Sequence, residues 1–311
     1  MGAILVIGAG ITGGYTATRL LDNGADISLL ARCEKADRLE KSGLRLRDGL
    51  TGAERTVRLP IVREPVEQQY EIVMVCVQDS QRPAVEQLIR NLPGRPVVWF
   101  LGNTTRGYKE AGNLLGQDRI LGGFPDVGGT WDEDVLIYAD RKKPKDKPFN
   151  NLIAGAAFPE SKPAFEFLQK TMSGLNQRVA HYDPIMAWHL CHVALILPLA
   201  GAIYQHDGDL EATASDRELL KTTMRAVLQG LNIVRLNGYP VLPKGLKLFR
   251  YIPASLGAMK IGGTLRSRFG EIALAGHAST ARNEMRHLAK DLLGLAGQNG
   301  GQEFTGLLGS I

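Results

Sequence analysis

The chain is predicted to be an α/β protein, with an N-terminal doubly wound parallel sheet followed by an all-helical second domain. Three observations carry this prediction. Short continuous apolar runs at AILVI (3–7), EIVMVCV (71–77) and PVVWFLG (96–102) suit strands buried on both faces of a parallel sheet. A strand, a glycine loop, a helical stretch and a second strand follow one another within about 30 residues, the span of one βαβ unit. From about residue 160 strand signals become sparse and helical ones dominate.

Taken in order, AILVI ends in glycines and leads into GAGITGG, then into YTATRLLDNG, helical in pattern and closed by Gly24. DISLLAR (26–32) reads as the second strand. The strands at 71–77 and 96–102 are separated by the helical stretch RPAVEQLIRNL. Residues 117–140 hold shorter strand-like pieces around a glycine-rich turn, PDVGGTWDED. The segment RKKPKDKPFN (141–150) has little to bury and reads as a solvated loop. Helical patterns follow in KPAFEFLQKTMSGL, WHLCHVALILPLAG (188–201), DRELLKTTMRAVLQGLNIVRLNG and ARNEMRHLAKDLLGLAG. The domain boundary is placed at 180/181, giving domains 1–180 and 181–311, and the final QNGGQEFTGLLGSI reads as a weakly structured tail.

With 311 residues, 44% of them hydrophobic, the chain can bury a large core divided over two domains. A net charge of +5 favours anionic ligands, yet Lys and Arg are scattered and no basic run is interleaved with aromatics, which argues against nucleic-acid binding. The three cysteines, Cys33, Cys76 and Cys191, make neither CxxC nor zinc-type spacings, pointing to a reducing compartment. On a helix His189 and His192 share a face while Cys191 points elsewhere, too few ligands for a metal site. A chain that begins with a strand, without a charged leader or an apolar h-region, is expected to be cytoplasmic. The run at 188–201 is expected to be too short for a membrane span and to break at Pro198.

Gly8, Gly10 and Gly13 form G-x-G-x-x-G directly after a strand and at the start of a helix. The first glycine permits a tight turn, the second lets a pyrophosphate approach the backbone, and the third lets helix and strand pack closely. Ile11 and Thr12 then belong to the helix N-terminus that faces the phosphates. This context predicts a Rossmann-type dinucleotide site. At the end of the second strand, where an NAD enzyme usually carries Asp or Glu, stands Arg32, with Lys35 and Arg38 behind it. A guanidinium binds a 2′-phosphate in bidentate fashion and cannot accept from a 2′-hydroxyl, so NADP(H) is favoured, with Glu34 leaving room for NAD.

With GAGITGG, LLAR, VCVQDSQ, FLGN, WHL and GEI in this order and at these separations, the chain resembles the ketopantoate reductase family over roughly residues 1–295. The resemblance implies a Rossmann-type domain, a helical domain, NADPH binding, and reduction of a 2-oxo acid to the 2-hydroxy acid. It places Gly8, Gly10 and Gly13 in the phosphate loop, Arg32 at the 2′-phosphate, Asn103 near nicotinamide and substrate, and Glu271 as the active-site glutamate. Gln78 occupies the position of a family lysine on the cofactor side. The family's catalytic lysine aligns with His189, two pocket asparagines with Val193 and Leu197, and a serine that helps hold the substrate carboxylate with Met259. The cofactor half of the site is kept while the ketopantoate half is largely rewritten.

Carbonyl reduction needs a hydride donor and a proton donor within reach of the oxygen. His189 suits the proton donor because imidazole titrates near neutrality; the alternative is a core histidine bonded to a helix neighbour. Glu271 is expected to orient that histidine, and Asn103 to contact the carbonyl or the ribose from the C-terminal edge of the sheet. His189, Val193 and Leu197 share one helical face, so a substrate less polar than ketopantoate is expected if that face lines the site. Arg266 and Arg268 are candidates for holding an acidic substrate. These readings point to an NADPH-dependent oxidoreductase acting on a small carbonyl compound, and a homodimer is compatible with them. The competing readings are an NADP(H) sensor that has lost catalysis and an opine or hydroxyacid dehydrogenase-like enzyme.

Overall fold

The computed structural model describes residues 2–64, 68–125, 127–139, 152–275 and 281–311; the loop reading of 141–150 falls outside them. The chain forms two compact units, one of Met1–Gly102 and Gly107–Ile185, the other of Asn103–Arg106 and Met186–Ile311. Four residues directly after a strand of the first unit thus belong to the second.

The first unit is built on strands β1 (Ile4–Ile7), β2 (Ile27–Leu30), β3 (Leu44–Asp48), β4 (Glu54–Val57), β5 (Ile61–Val62), β6 (Ile72–Val75), β7 (Val97–Leu101), β8 (Ile120–Phe124), β9 (Gly128–Asp132), β10 (Val135–Ala139), β11 (Leu152–Ala156) and β12 (Val179–His181). Eight of them form one sheet in the order β5-β2-β1-β6-β7-β8-β11-β12. The pairs from β5 through β8 are all parallel, and β11 then joins β8 antiparallel. Helices α1 (Ile11–Asp22), α2 (Cys33–Ser42), α3 (Arg82–Arg90), α4 (Lys109–Leu115) and α5 (Lys162–Gly174) connect them. Every residue of β1, β2 and β6 is buried, as strands covered on both faces require. Strand order reverses beside β1: the chain goes outward to β2 and β5, then returns to β6 on the other side. In such sheets ligands bind at the carboxyl ends of the two strands flanking this switch point.

A second, mixed sheet of order β4-β3-β10-β9 joins two of the strand-like pieces of 117–140, β9 and β10, to β3 and β4, which the sequence reading did not pick out. The middle of what reads as a glycine-rich turn, PDVGGTWDED, is strand β9, which follows β8. The glycines serve close packing there: a Cβ on Gly123 would lie 2.1 Å from Ile153 O, and one on Gly129 would lie 2.5 Å from Ile137 O.

The second unit is helical and centres on α6 (Ile185–Gln205), with α7 (Leu210–Ser215), α8 (Arg217–Leu236), α9 (Ala254–Leu265) and two further helices, Arg282–Ala296 and Gln302–Gly309. The expected break at Pro198 does not occur; α6 runs through it for 21 residues. Proline removes one backbone hydrogen bond from a helix, and the packing of a helix apolar on nearly every side offsets that loss. By length and composition α6 could cross a membrane, but 72% of its most apolar window is buried within the fold. Leu190, Val193, Ala194 and Leu197 lie in the core with Ala226, Leu231 and Leu288. Gly230 lets α8 approach α6, a Cβ there standing 3.1 Å from that of Ala194.

The last residues are not a weakly structured tail. Helix Gln302–Gly309 buries Phe304, Leu307 and Leu308 in this core. Their i, i+3, i+4 spacing is that of an amphipathic helix, which the surrounding glycines obscure.

Candidate active site

The three glycines of the turn after β1 meet different surroundings. Gly8 has φ +110, and a Cβ there would sit 2.4 Å from Cys76 O at the end of β6. A Cβ on Gly13 would lie 1.9 Å from Gly8 O and 3.2 Å from the Cβ of Cys76. Both glycines therefore serve contact between the turn, α1 and the sheet. Gly10 differs: a Cβ there meets nothing within 4 Å. It is exposed at the N-cap of α1, with no acidic residue in the first turn. The open ground in front of Gly10, together with the N–H groups of Ile11, Thr12 and Gly13 that a first helical turn leaves unbonded, suits an anion. Burial pushes the Cys76 thiol up to about 12, so Cys76 stays neutral and acts as a packing residue.

Arg32 is the N-cap of α2, exposed, and makes no ion pair among the described residues. Behind it, Lys35 Nζ lies 3.4 Å from the centroid of the Trp131 ring. Desolvation, reinforced by the charge of Arg38 and opposed by Asp134, brings the Lys35 ammonium down to about 8. Arg38 is engaged in an ion pair with Asp134. Of the three cations expected near a 2′-phosphate, Arg38 is thus ion-paired and Lys35 lies over a ring, while Arg32 is exposed and without an ion pair among the described residues.

Gln78 follows β6 and is half-buried, its N–H donating to Gln81 Oε1 at 3.3 Å. Next to it stands a buried charged cluster that the sequence reading missed. Arg82 Nη1 donates to Asp79 Oδ1 at 3.0 Å and to Gly107 O at 3.2 Å, and Nη2 lies 3.5 Å from Glu86 Oε1. Its guanidinium covers the rings of Phe100 and Tyr108 at 4.3 and 5.0 Å. Arg82 thereby ties the segment after β6 to Gly107, where the chain re-enters the first unit after β7.

Within the second unit, Asn103 is 6% exposed and its Nδ2 donates to Glu284 Oε1 at 3.1 Å. Thr105 Oγ1 donates to Asp291 Oδ2 at 2.8 Å. Glu284 and Asp291 both lie on helix Arg282–Ala296, with His287 Nε2 3.7 Å from the Asp291 carboxylate. No local pattern could have shown this pairing, because the partners are 181 and 186 residues apart.

His189 is 0% exposed, edge-on to Trp188 with ring centroids 5.5 Å apart. The Glu271 carboxylate, 60% exposed, accepts from Arg268 Nη1 at 2.6 Å. Arg268 stands three residues back on the same turn, within reach of that carboxylate. Val193 and Leu197 are fully buried in the core instead of offering an apolar wall to a substrate. Met259 is 68% exposed. Arg266 is engaged with Glu211, through Nε at 3.0 Å and Nη2 at 2.8 Å, and Arg268 with Glu271, so neither presents a free charge to an acidic substrate. His192 stacks on Trp188 at 4.9 Å, and Cys191 Sγ accepts from Leu242 N at 3.4 Å, both packing roles.

Residues 4–144 match the family model described as ketopantoate reductase PanE/ApbA. The 2-dehydropantoate 2-reductase of Geobacter metallireducens superposes with a TM-score of 0.77 at 16% identity, over 99% of this chain and 98% of that one. A D-mandelate dehydrogenase solved with NADH and anilino(oxo)acetate gives 0.76 at 14% identity, over 99% and 96%. The dimeric ketopantoate reductase of Staphylococcus aureus gives 0.71 at 10%, again over 99% and 96%. No curated protein sequence matches the chain. At these identities the likeness is one of fold.

Proposed function

Taking residues 4–144 as a ketopantoate reductase-family domain, we propose that the protein is an NADPH-dependent oxidoreductase that reduces a 2-oxo acid or related small carbonyl compound, other than ketopantoate, to the hydroxy compound. The observation that carries this reading is the pairing of open ground at Gly10 with Arg32, exposed and without an ion pair among the described residues, at the end of the neighbouring strand. The glycine loop receives the pyrophosphate, with the first-turn N–H groups of α1 as donors. Arg32 receives the 2′-phosphate, and Gln78 lines the cofactor side. The bound cofactor supplies the hydride. His189 stands at the position of the family's proton donor and would protonate the carbonyl oxygen, while Asn103 orients the ligand. Glu271 lies in the same family position but is turned to Arg268, so it acts on the site only after releasing that partner.

Two substitutions test this. Arg32→Ala should weaken NADPH about tenfold or more and leave NADH unchanged, since hydrogen bonds to charged groups contribute roughly 1.5–3 kcal/mol. An unaltered NADPH-to-NADH affinity ratio in fluorescence titrations would overturn the 2′-phosphate assignment. His189→Ala should lower turnover by about 10²–10⁴ on an accepted oxo acid, the usual contribution of general acid catalysis, and a loss below about tenfold removes His189 from the role.

The complete burial of His189 and the engagement of Glu271 favour a second reading, an NADP(H)-binding sensor without turnover. Tight NADPH binding with no oxidation across a broad oxo-acid panel would select it. A preference for NADH would select the hydroxyacid dehydrogenase reading, with which the likeness to D-mandelate dehydrogenase is compatible. A cytoplasmic setting is supported by the cysteines, all three of which are free. A homodimer fits the exposed apolar side chains of Leu248, Tyr251 and Met259, clustered in residues 248–259.

A further inference from the structure

We propose that Glu284 is a positioning residue that fixes the Asn103 amide as a hydrogen-bond acceptor, so that the ligand group received there is a donor, a hydroxyl or a carboxamide N–H. The inference rests on the reading of Asn103 as a site residue.

A carboxylate can only accept, so Glu284 Oε1, 3.1 Å from Asn103 Nδ2, takes the donor end of the amide and leaves Oδ1 on the other side. Asn103 Oδ1 is buried and has no hydrogen-bond partner among the described residues. Buried amide oxygens are almost always satisfied, and an exception marks a group held for something else. The loop cannot readily turn to satisfy it internally. Thr105 is tied to Asp291, seven residues along the same helix from Glu284, so two carboxylates two turns apart hold Asn103–Arg106 at two points. Thr104 and Thr105 are themselves buried. An acceptor so fixed selects by charge pattern. A ribose hydroxyl, the hydroxyl of a hydroxy acid, or a nicotinamide carboxamide N–H satisfies it, whereas a carbonyl or carboxylate oxygen would bring lone pair against lone pair.

The full-length protein tests this with Asn103→Ala, Glu284→Met and Glu284→Gln, NADPH being the first probe. If the donor belongs to the cofactor, Glu284→Met raises the NADPH Kd about tenfold, as Asn103→Ala does. Glu284→Gln, whose Oε1 can still accept from Nδ2, stays within about threefold of wild type. If the donor belongs to the substrate, NADPH binding is unchanged, and a panel of 2-hydroxy acids oxidised with NADP⁺ shows the same pattern in KM with kcat held within about twofold. Glu284→Met lowering only the melting temperature, with both quantities within about twofold of wild type, overturns the proposal. Hydrogen exchange of the Asn103 side-chain amide, followed by NMR without ligand, reads the pairing directly: slow in wild type, fast in Glu284→Met. Equal exchange in the two overturns the positioning role. Failure of wild-type protein to bind NADPH overturns the proposed function instead, and the amide exchange then still decides the role of Glu284.

Discussion

Gly10→Val is expected to abolish NADPH binding while leaving the fold intact. The backbone at Gly10, φ −81 and ψ −166, is one that valine adopts freely, and a Cβ there meets no protein atom within 4 Å. The substitution therefore costs the apo protein little, within about 1 kcal/mol by urea denaturation. The same atoms would fill the ground assigned to the pyrophosphate, so affinity should fall at least about a hundredfold, or roughly 2.7 kcal/mol. Gly13→Val is the contrasting case: its Cβ would lie 1.9 Å from Gly8 O, so stability and binding should fall together. NADPH affinity within about threefold of wild type in Gly10→Val would remove the cofactor from this turn.

Arg82→Met should destabilise the first unit by about 3–5 kcal/mol, the usual cost of removing one partner from a buried ion pair. The methionine stem would still cover Phe100 and Tyr108, but Asp79 and Glu86, both buried, would lose their cation, and Gly107 O would lose a donor. A buried guanidinium is thereby removed from between two buried carboxylates. The measurement is the shift in free energy of unfolding; a loss under about 1 kcal/mol would show that the cluster is not held by charge. The partners of Arg82 join the segment behind Gln78 to Gly107, so NADPH affinity should weaken alongside stability.

The glycine turn after β1 and the place of Arg32 were legible in the chain because both are local features. Gly8, Gly10 and Gly13 act within one turn, and Arg32 stands at the end of the adjacent strand, so spacing alone carries the reading. The catalytic side was not legible to the same degree. His189 and Glu271 were placed by position along the chain, which says nothing about what each side chain touches. In the folded protein His189 is buried beside Trp188, while Glu271 turns to Arg268 on the surface.

The same distinction runs through the whole molecule. Apolar runs, glycine spacing and helical periodicity were enough to establish a parallel α/β unit followed by helices, because each depends on neighbours a few residues away. The second sheet, the docked C-terminal helix, the Arg82 cluster and the attachment of Asn103 to Glu284 depend on partners far apart in the chain. Burial and long-range pairing assign those roles, since a buried polar group takes whichever partner the fold brings within hydrogen-bond distance.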